Sequence, residues 1–172
     1  MVVSMGDKPS YEELEQYVKR LEKTVFKKIR AEAVTKALFH IASAQNTSET
    51  LQEFYRSIRR HLSSLLDMTN FSVAIYYKNK NAIRYVYHVD EKDESIPRCI
   101  HRFTENPSLT GDVVLGKKPL LLDEKELEKR FARGRVKGSL PKVWLGVPLM
   151  IQQEVLGVMA VQSYTNPDQF TR

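Results

Sequence analysis

The residues in this chain with chemistry to offer are its histidines, its cysteine and a few large side chains. The four histidines are His40, His61, His88 and His101. No two stand four apart or as a His-x-His pair, the spacings that bring two imidazoles to one side of a helix or strand. Exposed or hydrogen-bonded histidines are the expectation, and no metal ligand is assigned. Cys99 is the single cysteine, which excludes an internal disulfide and a zinc site built on several thiolates. Its neighbours Arg98, His101 and Arg102 make the basic setting that reactive thiols use, so a redox enzyme working through Cys99 stays open as a distant reading. Gly134–Gly138 lacks the Walker pattern of a phosphate-binding loop. What remains is a pocket. Tyr85, Tyr87, Leu122, Trp144 and Met159 are the candidates for lining one, since Tyr and Trp join an apolar body to a polar handle. The same side chains would equally fill a core with no ligand at all. No catalytic residue and no cofactor is assigned.

Composition narrows the setting. A length of 172 residues fits one domain with an appendage. With 42% hydrophobic and 28% charged residues the chain is neither disordered nor membranous by composition. No apolar run reaches about 18 residues, so no membrane insertion is expected. Met1–Ser10 has no apolar core of a secretory signal, and a cytoplasmic location is the default expectation. The net charge of +6 is spread over predicted helices and loops. With no helix-turn-helix, zinc-finger or aromatic RNA-binding signature, no nucleic-acid partner is expected.

The elements that must position these residues centre on Val143–Tyr164. Two apolar runs, Val143–Ile151 and Val155–Tyr164, flank Gln152 and Gln153. Their shortness, and Gly146, Pro148 and Gly157 within them, predict a buried β-hairpin instead of a helix. Alternation places Val143, Leu145, Val147, Leu149 and Ile151 on one face, Trp144 and Met150 on the other. A hairpin apolar on both faces needs cover on both. Pro148 cannot donate to a ladder and should sit at a bulge or on an unpaired side.

At the other end, Met1–Pro9 reads as a flexible end, and Ser10 with Glu13 has capping-box spacing. Tyr11, Leu14, Val18, Leu21 and Val25 then alternate steps of three and four, a coiled-coil seam set in dense charge. Ile29 breaks the heptad, and helical periodicity continues to about Ala44. A second amphipathic helix, capped by Ser48 or Thr50, runs from Leu51 to Leu66 as core cover. Phe71–Tyr77 and Ile83–Val89 predict a further hairpin with Ile83, Tyr85, Tyr87 and Val89 on one face and Arg84, Val86 and His88 on the other. Asp90–Pro97 reads as a mobile surface loop, while Cys99–Pro107 stays ambiguous. Leu109–Leu115 predicts a short helix ended by Gly116, followed by a strand at Leu120–Asp123, a helix at Glu124–Phe131 and a loop at Arg133–Pro141. Phe170–Arg172 reads as the start of another helix.

WLGVPL at Trp144–Leu149, then VLGVMAVQSY at Val155–Tyr164, resembles the final two strands of a GAF domain, the small-molecule sensor module of signalling proteins. Leu109–Val114 followed by Gly116–Asp123 resembles the short helix, Gly-Lys-x-Pro turn and next strand of the same family. The resemblance runs from about Ala31 to the C-terminus. It implies an α/β (α+β) fold with a central antiparallel sheet of five or six strands, helices on one face and loops over the other. The loops after Val89 and Asp123 would close over a pocket, and a closing C-terminal helix would be missing. It divides the chain into an N-terminal signalling or dimerisation helix, residues 1–30, and a GAF domain, residues 31–172. The functional expectation is a regulatory module resembling those of bacterial sensor histidine kinases and diguanylate cyclases. It would bind a small molecule or form a homodimer through the N-terminal helix, and control a separate output domain; the alternative is a ligand-free structural dimerisation module. Family subsets suggest other chemistry that these residues fit poorly. His101 is the residual match to a haem-binding histidine. One cysteine cannot run the disulfide cycle of the methionine sulfoxide reductases, the pattern flanking a bilin-attachment cysteine is not evident, and the Asn-Lys-x-Phe-Asp-Glu cyclic-nucleotide signature is absent.

Overall fold

The computed structural model describes residues 10–93 and 96–170. Ser10 and Glu13 form the expected capping box: Ser10 Oγ accepts from the Glu13 amide at 3.2 Å, and Glu13 Oε2 accepts from the Ser10 amide at 2.8 Å. From this cap helix α1 (Tyr11–Thr47) runs unbroken for 37 residues, about 55 Å. Thr50 and Glu53 make a second capping box and start α2 (Leu51–Leu62). The two helices meet where α1 is small: Ala37 and Ala44 are its buried residues, and short side chains let the backbones approach. The first half of α1 touches nothing comparable, and its seam residues Leu14, Val18, Leu21 and Val25 are all about half exposed or more.

Six strands follow: β1 (Asn70–Tyr77), β2 (Ala82–Val89), β3 (Cys99–His101), β4 (Leu120–Leu122), β5 (Val143–Ile151) and β6 (Glu154–Ser163). They form one sheet in the order β3-β2-β1-β6-β5-β4, with every paired neighbour antiparallel. The β5–β6 hairpin predicted from Val143–Tyr164 is present, and β6 joins it to β1 at the sheet centre. Pro148 lies beyond the end of β4, whose pairing stops at Leu120↔Gly146, so its missing N–H faces an unpaired side. Two-sided cover holds only near the start of β5. After a bulge between Leu149 and Met150, Met150 and Ile151 project into solvent, as does Val147, so the hairpin tip departs from the expected buried face.

The sheet separates two cores. Phe54, Tyr55 and Ile58 of α2, with Ile41 of α1, pack on Phe71, Val73, Tyr87 and Val161. The other face packs Ala74, Ile83, Trp144, Val158 and Ala160 against helices α3 (Leu109–Gly116) and α4 (Glu124–Ala132) and the segment around Val136 and Leu140. That second face therefore carries two short helices as well as loops. Cys99–His101 resolves the ambiguous stretch as an edge strand on β2. The expectation for Met1–Pro9 lies outside the described residues, as do Thr171 and Arg172; Phe170 itself packs on the helix-side core.

Candidate functional site

The site begins with a one-residue bulge. Val73 pairs with Tyr87 but Ala74 pairs with Tyr85, leaving Val86 as the extra residue of β2. A bulge restarts the two-residue alternation, so side chains before and after it change faces. Tyr85 therefore joins the core around Trp144, whereas Tyr87 packs under α2, with ring centroids 5.7 Å from Phe71 and 5.9 Å from Tyr55. The expected grouping of Ile83, Tyr85, Tyr87 and Val89 on one face is corrected accordingly.

On the Trp144 face lies a cavity of about 390 Å³. Its floor is sheet, from Tyr85, Trp144 and Ala160; its walls are β3, the start of α3, residues Asp90, Asp93, Ile96 and Pro97, and the segment 135–141. Of the five sequence-predicted lining residues, Tyr85 and Trp144 are brought together here. Met159 faces the helices with Tyr87, and Leu122 is buried in the core beside the cavity without lining it. Register explains Met159: one residue away, Val158 and Ala160 face the cavity side.

Polar contacts shape the walls. Tyr85 Oη and Thr110 Oγ1 are 2.9 Å apart, and burial pushes the Tyr85 phenol above its ordinary range against the opposing effect of that hydrogen bond. Asp112 on α3 accepts from Arg130 of α4 and from Arg135 Nη1 at 2.8 Å, tying the 135–141 segment to both helices. Asp90 and Asp93 clamp the opposite side. Tyr164 Oη donates towards Asp90 Oδ1 at 3.0 Å and Asp93 Oδ2 at 3.3 Å, and Gln162 Nε2 donates to Asp90 Oδ2 at 2.7 Å. Ser139 gives its amide and hydroxyl to Asp93 at 2.8 and 3.0 Å. Burial, then the Asp90 hydrogen bond and the two carboxylate charges, hold the Tyr164 phenol far above its usual pKa. Gly138 stands at φ +82°, and a Cβ there would overlap the Asp93 carboxylate, so both conformation and space demand glycine. The stretch read as a mobile loop is thus anchored over Asp90–Asp93.

The histidines divide. His40 and His61 stack across the α1–α2 seam with centroids 4.7 Å apart. His88 Nε2 lies 2.8 Å from the Asp93 carbonyl, which can only accept, so Nε2 carries the proton; the buried Nδ1 has no hydrogen-bond partner among the described residues. His101 is exposed at the cavity wall with Nδ1 3.9 Å from Cys99 Sγ. Among the described residues no group of three or more His, Cys, Asp or Glu side chains is arranged to hold a metal, and no helix is long and apolar enough to cross a membrane. Sequence reasoning missed Asp90, Asp93, Thr110, Gly138 and Tyr164. Their partners lie far along the chain, 46 residues away for Ser139 and 74 for the Tyr164–Asp90 contact, so no local signal marked them.

The chain is thus a six-stranded antiparallel sheet with helices α1 and α2 on one face and a cavity on the other, the layout of a small α/β domain. The sequence profile of the GAF domain matches residues 50–172, and the chain belongs to that family. GAF domains are generally regulatory sensor modules. The fold is similar to the GAF domain from an Acinetobacter phosphoenolpyruvate-protein phosphotransferase, at TM-score 0.61 and 17% identity over 84% of this chain and 82% of that one. It is also similar to the GAF domain of a phosphoenolpyruvate-protein phosphotransferase from Coxiella burnetii (TM-score 0.59, 18% identity, 78% and 79% covered). An enzyme shares the architecture: the free methionine-R-sulfoxide reductase from Neisseria meningitidis, at TM-score 0.54 and 12% identity, with 75% of each chain covered. No curated protein matches the chain.

Proposed function

We propose that this chain is the ligand-responsive regulatory segment of a cytoplasmic bacterial signal-transduction protein, a homodimer that controls a separate output domain such as a histidine kinase or diguanylate cyclase. The supporting observation is a pairing within one small domain. A cavity lies on one sheet face; on the other lies a 37-residue helix with an apolar stripe open to solvent. Residues 1–30 act as the signalling and dimerisation helix and residues 31–172 as the sensor. A lone exposed helix is marginal in water, so the stripe through Leu14, Val18, Leu21 and Val25 needs a partner, and a second copy in parallel supplies one. A ligand acts by binding the two arrangements of the paired helices with different affinities. The segment itself is not an enzyme and takes no nucleic acid. With one cysteine it lacks the thiol pair of a disulfide cycle; turnover abolished by Cys99→Ser would revive that reading.

Sedimentation tests the link. Leu21→Lys places like charges across the seam, shifting the protein to monomer while circular dichroism shows the globular domain still folded. A wild-type monomer at high micromolar concentration, or a Leu21→Lys dimer as strong as wild type, defeats the proposal. The rival is a ligand-free dimerisation module, which a cavity unresponsive to any metabolite would favour.

A further inference from the structure

Resting on the sensor reading, we infer that the cavity takes a small organic anion, a carboxylate with an apolar body, its charge met by Lys137 and its oxygens within the reach of the His101 ring as a further donor. The apolar half of this assignment comes from the walls. Trp144, Ile100, Val136, Leu109 and Pro141 face a space of about 390 Å³, within the usual size for small-molecule sites.

The sign of the charge follows from which polar groups are already spoken for. Asp90 and Asp93 line the cavity, and alone they would favour a cation. All four of their carboxylate oxygens, however, accept from the protein. Asp90 Oδ1 takes the Lys92 and Asp93 amides and Tyr164 Oη, and Asp90 Oδ2 takes Gln162 Nε2. Asp93 Oδ2 takes the Ser139 amide and Tyr164 Oη, and Asp93 Oδ1 takes Ser139 Oγ. The Lys92 ammonium adds a positive charge on that side, 4.5 Å from the Tyr164 ring centroid. A ligand cation seated on these carboxylates would compete with these donors, and the buried Nδ1 of His88 is the lining acceptor left without a partner among the described residues.

The donor groups of the wall are in the opposite condition. Lys137, on the cavity wall and exposed, has no hydrogen bond or ion pair among the described residues. Exposed His101 has only the 3.9 Å contact to Cys99 Sγ. Arg135 gives Nη1 to Asp112. The two segments that carry these groups also bear exposed Arg98 and Arg133, neither in an ion pair among the described residues, while Arg102 stands 3.7 Å from Glu105. Free donors on the wall of an apolar interior suit an anionic head on an apolar body, and the basic residues borne by the same two segments would raise the local concentration of such a ligand.

Trp144 is the only tryptophan, so its fluorescence reports on the cavity alone. The full chain is titrated with three near-isosteric probes: phenylacetate, phenylacetamide and phenethylamine. Phenylacetate is expected to bind about tenfold or more tighter than the amide, with the amine weakest, and the preference should shrink with added salt. Lys137→Gln, a change at an exposed position, should remove most of that preference, weakening phenylacetate far more than the amide. Equal or tighter binding of the amide or amine overturns the inference, as does a Lys137→Gln/His101→Gln double variant that keeps the full preference for the anion. Failure of all three probes beside a clear response to some other uncharged or cationic metabolite overturns this inference alone. Failure of every small molecule tried overturns the sensor reading with it.

Discussion

Trp144→Ala removes the largest side chain shared by the core and the cavity, and the structure sets the size of its effect. The indole is 5% exposed and packs in one cluster with Val113, Leu122 and Leu127. A Cβ placed on Gly146 would overlap its ring, so the indole fits closely against the β5 backbone. Truncating a buried Trp to Ala costs about 3–5 kcal/mol through lost transfer energy and the space left behind. Here the new space opens into an existing cavity with polar groups in its wall, which water can enter, so the cavity contribution is reduced and about 3 kcal/mol is expected. For a chain of this length that corresponds to roughly 6–12 °C in Tm. The assay is urea denaturation followed by far-UV circular dichroism, because the substitution deletes the only tryptophan fluorophore. A fall in midpoint at unchanged slope is the expected form, since the folded and unfolded states should otherwise stay the same. A loss below about 1 kcal/mol would falsify the packing argument, for it would mean that the indole contributes little beyond a lining.

Two further substitutions probe the sheet and its clamp. A Cβ at Gly157 would overlap the Ala74 carbonyl oxygen across the β1–β6 pair, where backbone has little room to move, so Gly157→Ala should destabilise by about 1–3 kcal/mol in the same denaturant assay; a neutral variant would show that the strands part freely. Tyr164 has a folded pKa raised above its ordinary 10.0, so the unfolded chain loses that proton first and the stability tied to the neutral phenol, fully present below pH 10.0, drains away as pH rises beyond it. The stability gap between wild type and Tyr164→Phe should therefore narrow above that pH, and a gap that stays constant to the alkaline limit would contradict the Asp90–Asp93–Tyr164 clamp.

The elements were legible because period is a local property, while phase and long-range pairing are not. Ser10-x-x-Glu13 and Thr50-x-x-Glu53 each carry a complete capping box within four residues, and both helices start where those pairs lie. Alternation in Val143–Ile151 and a corner at Gln152-Gln153 were enough to place a hairpin, since strand pairing across a short turn needs no distant information. Face assignment failed at Val86 for the complementary reason. The two-residue period of Ile83–Val89 is intact in the sequence; what interrupts it is the extra residue opposite Val73 and Ala74, a feature of the β1–β2 pairing and not of β2 alone. One inserted residue then moved Tyr87 to the helices and kept Tyr85 for the cavity. Acidic residues before a proline look like a solvated loop, and nothing near Asp90 or Asp93 announces Tyr164 or Ser139. The lining of a pocket under a twisted sheet is chosen by such distant contacts. Trp144 was recoverable because it combines size with a strand position that the hairpin itself determines, whereas Asp93 is held in the wall by Ser139 and Tyr164 beside Gly138, where a Cβ would overlap its carboxylate.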